Sequence, residues 1–202
     1  MKDWRGNTNS IYKIIAASNH SDDERQEQDY YATDPIVIDK LLQVEKPSRK
    51  IWECAAGENH LADRLKKFGY DVITSDIVER KSKIDRILDF LKIDTKETFN
   101  CDILTNPPYK FAKEFVSKAI SLINDGQKVF MFLKLTFLEG KARLKDLFSK
   151  HPPKVVYVFS ERVLCAKNGE FQKVREGGGS AVAYAWFVWQ KGWQGKTTID
   201  WL

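Results

Sequence analysis

Asn106, Pro107, Pro108 and Tyr109 follow directly on the apolar run of residues 101–105, and they place an amide, a rigid main-chain carbonyl and an aromatic ring side by side. Such a trio suits the grip of a planar exocyclic amine. The lone pair of adenine N6, for example, is delocalised into its ring, so the nitrogen attacks poorly until fixed oxygens accept its two N–H bonds. The side-chain oxygen of Asn106 and the carbonyl of Pro107 are the candidate acceptors, and Tyr109 is the candidate surface for stacking a base. Consecutive prolines fix φ at both positions and keep Asn106 out of helical geometry, so the carbonyl direction is set before substrate arrives. The chemistry this suits is methyl transfer to a planar amine. Taken without its context, the segment also reads as a plain strand terminator, and its surroundings must decide.

Those surroundings alternate between strand and helix patterns. Residues 51–54 make a short apolar strand running into small residues, and residues 61–68 carry apolar positions at helical spacing with Lys66 and Lys67 turned outward. Residues 71–74 form a second strand ending at Ser75 and Asp76, a third short element lies near residues 84–90, and the strand of residues 102–105 enters the proline turn. A helix over residues 111–123 follows, then the apolar run of residues 129–135, of the kind buried on both faces of a parallel sheet. Upstream, Asp34 and Pro35 before Ile36, Ile38, Leu41 and Leu42 predict a helix over residues 35–42. A basic helix near residues 141–150, a strand at 155–159, an irregular stretch at 161–180 and a last strand at 182–189 complete the chain. The alternation implies an α/β fold with a mostly parallel, doubly wound sheet. No helical pattern separates the last two strands, so the final one is expected to pair antiparallel at that edge. Residues 1–29 are polar and read as an arm, leaving residues 30–202 as one domain. Gly177, Gly178 and Gly179 read as a loop rather than a phosphate cradle, since no helix follows them.

The 202 residues are 43% hydrophobic and 30% charged, the balance of a soluble globular domain. No apolar run approaches the roughly 18 residues of a membrane helix, and the apolar patch at residues 11–17 is broken by Lys13 and lacks a signal-peptide layout. A cytoplasmic protein is expected. Cys54, Cys101 and Cys165 are widely spaced and lack His or Cys partners at ligand spacing, so they read as reduced structural thiols, with neither a disulfide framework nor a metal site. Residues 127–202 hold 13 Lys and Arg against 6 Asp and Glu. The basic excess therefore lies in the C-terminal part, compatible with a phosphate-bearing partner.

The first strand-to-helix turn of an open α/β sheet commonly lets a ligand approach bare backbone. Residues 53–59 (ECAAGEN) occupy that place, with Glu53 suited to a cationic or hydroxylated ligand and Asn59 standing where a second glycine is expected. Asp76, 23 residues beyond Glu53, is placed to accept from two ribose hydroxyls, or else it caps a helix. Asp89 can accept from an adenine amino group while Phe90 packs against the ring, or the pair is simply a solvated carboxylate beside a core aromatic.

The order of residues 30–35 (YYATDP) before a helix, the turn of residues 53–59, Asp76, Asp89 with Phe90, and the turn of residues 106–109 resembles the S-adenosylmethionine-dependent N6-adenine DNA methyltransferase family. The likeness is greatest to small phage or prophage members without a separate target-recognition domain, and it runs from about Tyr30 to the final strand. It implies a Rossmann-like class I methyltransferase fold, S-adenosyl-L-methionine as cofactor and DNA as partner. Through it, Tyr31, Thr33 and Pro35 match the segment that closes over the methionine end of the cofactor, and Glu53, Ala55 and Gly57 match the glycine-rich loop. Asp76 and Ile77 match the ribose and adenine contacts, Asp89 and Phe90 the adenine-amino contact, and Asn106, Pro107, Pro108 and Tyr109 the catalytic turn. A nicotinamide dinucleotide is disfavoured, because such enzymes have no use for a proline-rigid amine clamp after the fourth strand.

Methylation by in-line attack needs no metal, but a base inside a duplex has to be flipped out or met single-stranded. Lys110 and Lys113 follow the catalytic turn, Lys134 and Lys141 follow the fifth strand, and Arg162, Lys167, Lys173 and Arg175 surround Phe171 in residues 161–180. Basic residues around an aromatic suit phosphates and an unstacked base, so residues 161–180 are the candidate target-recognition insertion. The same clamp would also serve an RNA adenine or a protein glutamine, since glutamine methyltransferases carry the same tetrapeptide. A catalytically silent nucleic-acid-binding module is the alternative of another class. Trp186, Trp189 and Trp193 read as core of an aromatic edge strand, and Trp52, His60 and His151 as packing residues.

Overall fold

The protein is described by a computed structural model covering residues 31–96, 98–167, 171 and 182–202, without the side chains of Tyr31 and Lys167. The arm of residues 1–29, Lys173, Arg175, the three glycines at 177–179 and most of the stretch 161–180 lie outside the described residues. Strands are β1 (Tyr31–Thr33), β2 (Lys50–Glu53), β3 (Asp71–Asp76), β4 (Arg86–Ile87) and β5 (Asp102–Thr105), followed by β6 (Lys128–Lys134), β7 (Val155–Val158), β8 (Cys165–Lys167), β9 (Tyr184–Gln190) and β10 (Thr198–Trp201). Helices are α1 (Ile36–Val44), α2 (His60–Lys67), α3 (Ala112–Leu122) and a short α4 (Lys141–Arg143) that passes into a π-helical turn, Leu144–Phe148.

The main sheet has the order β10-β7-β9-β6-β5-β2-β3-β4. Its pairings are parallel apart from those of β9, which runs antiparallel to both β6 and β7. This is the mostly parallel, doubly wound α/β sheet that the alternation predicts.

Side-chain alternation sorts the core into two layers. Val129, Met131 and Leu133 of β6 join Ala185, Phe187 and Trp189 of β9 under α3, which contributes Phe115, Val116 and Ala119. Phe130 and Phe132 of β6 join Tyr184, Trp186 and Val188 of β9 on the other face, under Val37, Ile38 and Leu41 of α1 and Leu61 and Leu65 of α2. Helix α1 starts at Ile36, one residue later than expected, with Asp34 Oδ1 accepting from the Ile36 N–H at 3.1 Å. Helix α2 stops at Gly69, whose φ of 86° few other residues adopt.

Three features depart from the sequence expectations. The aromatic strand expected at residues 182–189 is antiparallel, but it is inserted between β6 and β7 rather than placed at an edge. The reason is burial: Tyr184 to Trp189 are all buried, so the strand needs neighbours on both sides and layers on both faces. The edge belongs to β10, parallel to β7 and exposed along its length. With only four residues and nothing to bury, β10 leaves no periodic signal. A separate two-stranded antiparallel sheet also joins β1 to β8, in the register Tyr31↔Lys167, Ala32↔Ala166 and Thr33↔Cys165.

Trp186 locks α1 to the sheet, since it is fully buried and its Nε1 donates to the Val37 carbonyl at 3.1 Å. Trp186→Phe, which keeps most of the bulk but leaves that carbonyl without its donor, should cost about 1–2 kcal/mol. Trp186→Ala should cost about 3–5 kcal/mol. Denaturant midpoints of the two variants check the ordering.

Candidate active site

The carboxyl ends of β5, β2 and β3 lie side by side, and the sheet order reverses direction between β2 and β5. Ligands of open α/β sheets bind at such a place. Glu53, Asp76 and Asn106 stand at or just beyond these three ends.

The turn after β2 is shaped by two left-handed residues, Gly57 at φ 56° and Asn59 at φ 66°. Asparagine tolerates this conformation better than other side chains, so the residue that breaks the glycine pattern keeps the glycine geometry. Asn59 Nδ2 donates to the Lys83 carbonyl at 2.7 Å, which holds the side chain down as α2 begins. Asp76 binds the loop from the next strand: Oδ2 accepts from the Gly57 N–H at 2.8 Å and Oδ1 from the Ile77 N–H at 2.7 Å. Ile77 itself is 59% exposed, an apolar surface beside that carboxylate.

Glu53 is buried, and its Oε2 has no hydrogen-bond partner among the described residues. Burial pushes its carboxyl well above the usual range; the Ala62 N–H opposes the rise, and the charge of Asp76 adds to it. Asp89 Oδ1 accepts from the Leu91 N–H at 3.1 Å, and Lys92 lies 3.3 Å from Oδ2. Phe90 is only 2% exposed, stacked on Phe115 and edge-on to Trp52. Its ring is a member of the core, and Asp89 alone of that pair reaches the surface.

At the end of β5, Asn106 is half-buried and Pro107 buried. Asn106 Nδ2 donates to Thr33 Oγ1 at 2.8 Å and lies 3.7 Å from Cys165 Sγ, so the amide turns its oxygen away from Thr33. Tyr109 holds its hydroxyl 3.6 Å from the same sulfur, and its ring lies tilted toward Tyr184 at 6.2 Å. Burial, with Cys165 beside it, pushes the Tyr109 phenol well above its ordinary pKa, and burial likewise raises the Cys165 thiol. Both are protonated at neutral pH. The ammonium of Lys134 stands 5.1 Å from the centre of the Tyr109 ring.

No family model matches the chain, and no curated protein matches it. Solved structures of like shape do. A protein of Listeria monocytogenes assigned as a class I S-adenosylmethionine-dependent methyltransferase superposes with a TM-score of 0.57 at 13% identity, over 94% of this chain and 70% of that one. The 1,6-didemethyltoxoflavin-N1-methyltransferase of Burkholderia thailandensis, solved with S-adenosylhomocysteine, gives 0.52 at 10% identity over 95% and 93%. The type IIG restriction endonuclease BpuSI gives 0.50 at 14% identity, over 78% of this chain and 24% of the endonuclease. The chain has the class I methyltransferase fold.

On this methyltransferase fold, the residues singled out from the sequence gather unevenly. Thr33, Asn106 and Tyr109 meet around Cys165, while Gly57 and Asp76 meet at the β2 turn. Ala55 and Pro35 are half-buried in their turns, and Tyr31 is placed only by its main-chain pairing with β8. Among the basic candidates, Lys134 reaches Tyr109, whereas Lys113 is drawn to Asp146 at 3.4 Å. Lys110 lies over the Phe111 ring, Lys141 and Arg162 are exposed, and Phe171 stands edge-on to His60 at 5.7 Å. Cys165, read from sequence as a structural thiol, sits at the centre of the cluster, and Tyr184 was not singled out at all. Nothing local marks either residue, because both arrive through pairings between distant parts of the chain. Among the described residues, no helix is long and apolar enough to cross a membrane, and no group of three or more His, Cys, Asp or Glu could hold a metal.

Two variants test this geometry. Asn59→Ala, which must hold φ near 66° without its tie to Lys83, should lose about 2 kcal/mol of stability, and Asn59→Gly about 1 kcal/mol, in urea unfolding. Because the Glu53 carboxyl is raised on folding, its favourable contribution is complete below the unfolded value of about 4.3 and is lost as pH rises through the folded value. Glu53→Gln should therefore become more stable relative to wild type as pH rises from about 4 to 8. Thermal melts across that range give the difference, and a constant gap would contradict it.

Proposed function

We propose that this chain transfers a methyl group from S-adenosylmethionine to the exocyclic N6 of adenine in DNA, taking a flipped or single-stranded base at the turn of residues 106–109. The observation that carries this reading is the position of Asn106, Pro107, Pro108 and Tyr109 at the carboxyl end of β5, beside the glycine turn of β2, on a class I methyltransferase fold. DNA as the partner is supported by the sequence resemblance and by the basic C-terminal part, and a restriction endonuclease is among the structures of like fold.

The residues present suit the cofactor. Glu53 Oε2 is a buried acceptor awaiting a donor, and Gly57 puts no side chain into the left-handed turn beside it. Tyr31, Pro35 and the main chain at Thr33 would border it on one side and Glu53, Ala55 and Gly57 on another, with Asp76, Ile77 and Asp89 toward its adenosine and Phe90 bracing Asp89 from the core. S-adenosylmethionine, when bound, supplies a methyl group made electrophilic by its sulfonium.

The chain's own residues do the rest. Asn106 Oδ1 and the Pro107 carbonyl accept the two N–H bonds of the amine, which returns its lone pair toward the nitrogen and aims it. The stiff turn supplies this geometry without reorganisation, and positioning of that kind provides most of the rate. Tyr109 offers its ring to the extruded base, repaying part of the few kcal/mol that unstacking costs. Lys110, Lys141, Arg162 and the segment of residues 161–180, including Lys167, Phe171, Lys173 and Arg175, are proposed to hold the strand.

Isotope-labelled S-adenosylmethionine offered with unmethylated DNA, with RNA and with a glutamine-bearing protein tests this reading. Label should appear as N6-methyladenine in DNA, and Asn106→Ala should lower its rate at least about 100-fold, the scale of losing an oriented acceptor, with S-adenosylhomocysteine still bound. Label in RNA or glutamine would replace the substrate. No label and no cofactor binding would leave a binding module.

A further inference from the structure

An asparagine amide can occupy two orientations related by a half-turn, and only one presents its oxygen to an incoming amine. Among the described residues, Thr33 Oγ1 at 2.8 Å and Cys165 Sγ at 3.7 Å lie beside the nitrogen and favour the orientation that presents the oxygen. Thr33 can give its own proton to the sulfur, 3.8 Å away, which leaves its lone pairs for the amide. Both groups are held by one antiparallel ladder, because Thr33 and Cys165 are cross-strand partners in the β1–β8 sheet. That ladder continues through the Asp34 N–H, which donates to the Leu164 carbonyl at 3.0 Å. Thr33 is 3% exposed, so water does not compete for the bond.

We infer that Thr33 is a positioning residue that fixes the orientation of the Asn106 amide, and that the β1–β8 sheet is the bracket holding it there. This rests on the reaction proposed above and deepens it, assigning the Thr33 hydroxyl to the catalytic turn rather than to the cofactor. The two roles differ in what they predict. A hydroxyl that serves the amide affects turnover at saturation, whereas one that serves the cofactor affects its affinity.

Thr33→Val removes the acceptor at nearly constant volume, and Thr33→Ser keeps it. With cofactor and substrate saturating, Thr33→Val should lower kcat about 10-fold, the scale of one lost hydrogen bond to an oriented group. Its S-adenosylhomocysteine affinity should stay within about 2-fold of wild type, below the effect of a lost contact, and Thr33→Ser should recover the rate. Wild-type kcat in Thr33→Val, or a defect confined to cofactor affinity, overturns the inference. If the wild type transfers no methyl group to any acceptor, the proposed reaction fails instead, and the Asn106 side-chain amide protons decide the matter by NMR. Slow exchange in wild type and Thr33→Ser that is lost in Thr33→Val supports the bracket, while equal exchange in all three overturns it.

Discussion

One carboxylate sets the register of the central strands. Asp102, buried at the start of β5, accepts from the Ser48 N–H at 2.6 Å through Oδ2 and from the Lys128 N–H at 2.9 Å through Oδ1, while its own N–H donates to Ser48 Oγ at 3.0 Å. It thereby ties β5 to the chain entering β2 on one side and to the start of β6 on the other. A slip of one residue in any of these strands would exchange its two faces, sending Phe130 and Phe132 into the layer that now receives Val129 and Met131. The same slip would displace Glu53, Asn106 or Lys134 at the opposite ends. Burial raises the Asp102 carboxyl while the two backbone N–H groups pull it back, the balance expected of a charge kept in the sheet for its hydrogen bonds.

How much of this was legible depended on the distance over which each feature is decided. The turn of residues 106–109, the β2 turn and the start of α1 announce themselves because proline, glycine and Asp-Pro act on their immediate neighbours. The strand entering the proline turn has the expected bounds, and the run of β6 differs by one residue at each end. The position of β9 could not be read locally, since its six apolar residues, Tyr184 to Trp189, are equally apolar at an edge or in the middle, and only the count of available neighbours distinguishes the two. β10 and the β1–β8 sheet are products of long-range pairing and carry no pattern of their own. Cys165 belongs with them, because its meaning comes from standing opposite Thr33, 132 residues away.

Asn59 and Phe90 show that backbone conformation and packing, as well as residue type, decide what a side chain presents. Asn59 breaks a glycine pattern by composition, yet its backbone keeps φ at 66°, so the loop retains its shape with a side chain added. That side chain is anchored on Lys83, which makes the turn stiffer than a glycine would. Phe90 fits the expected pattern by type, but Trp52 and Phe115 already occupy its surroundings. Pattern matching weighs identity; what the fold registers is which surface remains once packing is complete.

The Tyr109 ring raises an energetic question that the fold answers with lysine. Its hydroxyl is tethered at Cys165 and its ring sits in a row with Tyr184, which stacks on Phe132 at 5.0 Å, so the ring cannot swing to meet a base. In the proposed reaction the base must come to the ring, where the Lys134 ammonium now stands. A partly exposed cation–π contact is worth about 0.5–1 kcal/mol, and a stacked base about 1–3 kcal/mol, so the exchange favours the base. An arginine in the same place would lie flat on the ring and compete with the base on its own terms. The lysine instead has a flexible stem and a compact charge, and it can leave the ring for the phosphate that arrives with the base. In the proposed reaction, Lys134 shields the ring from its place at the end of β6 until the base displaces it.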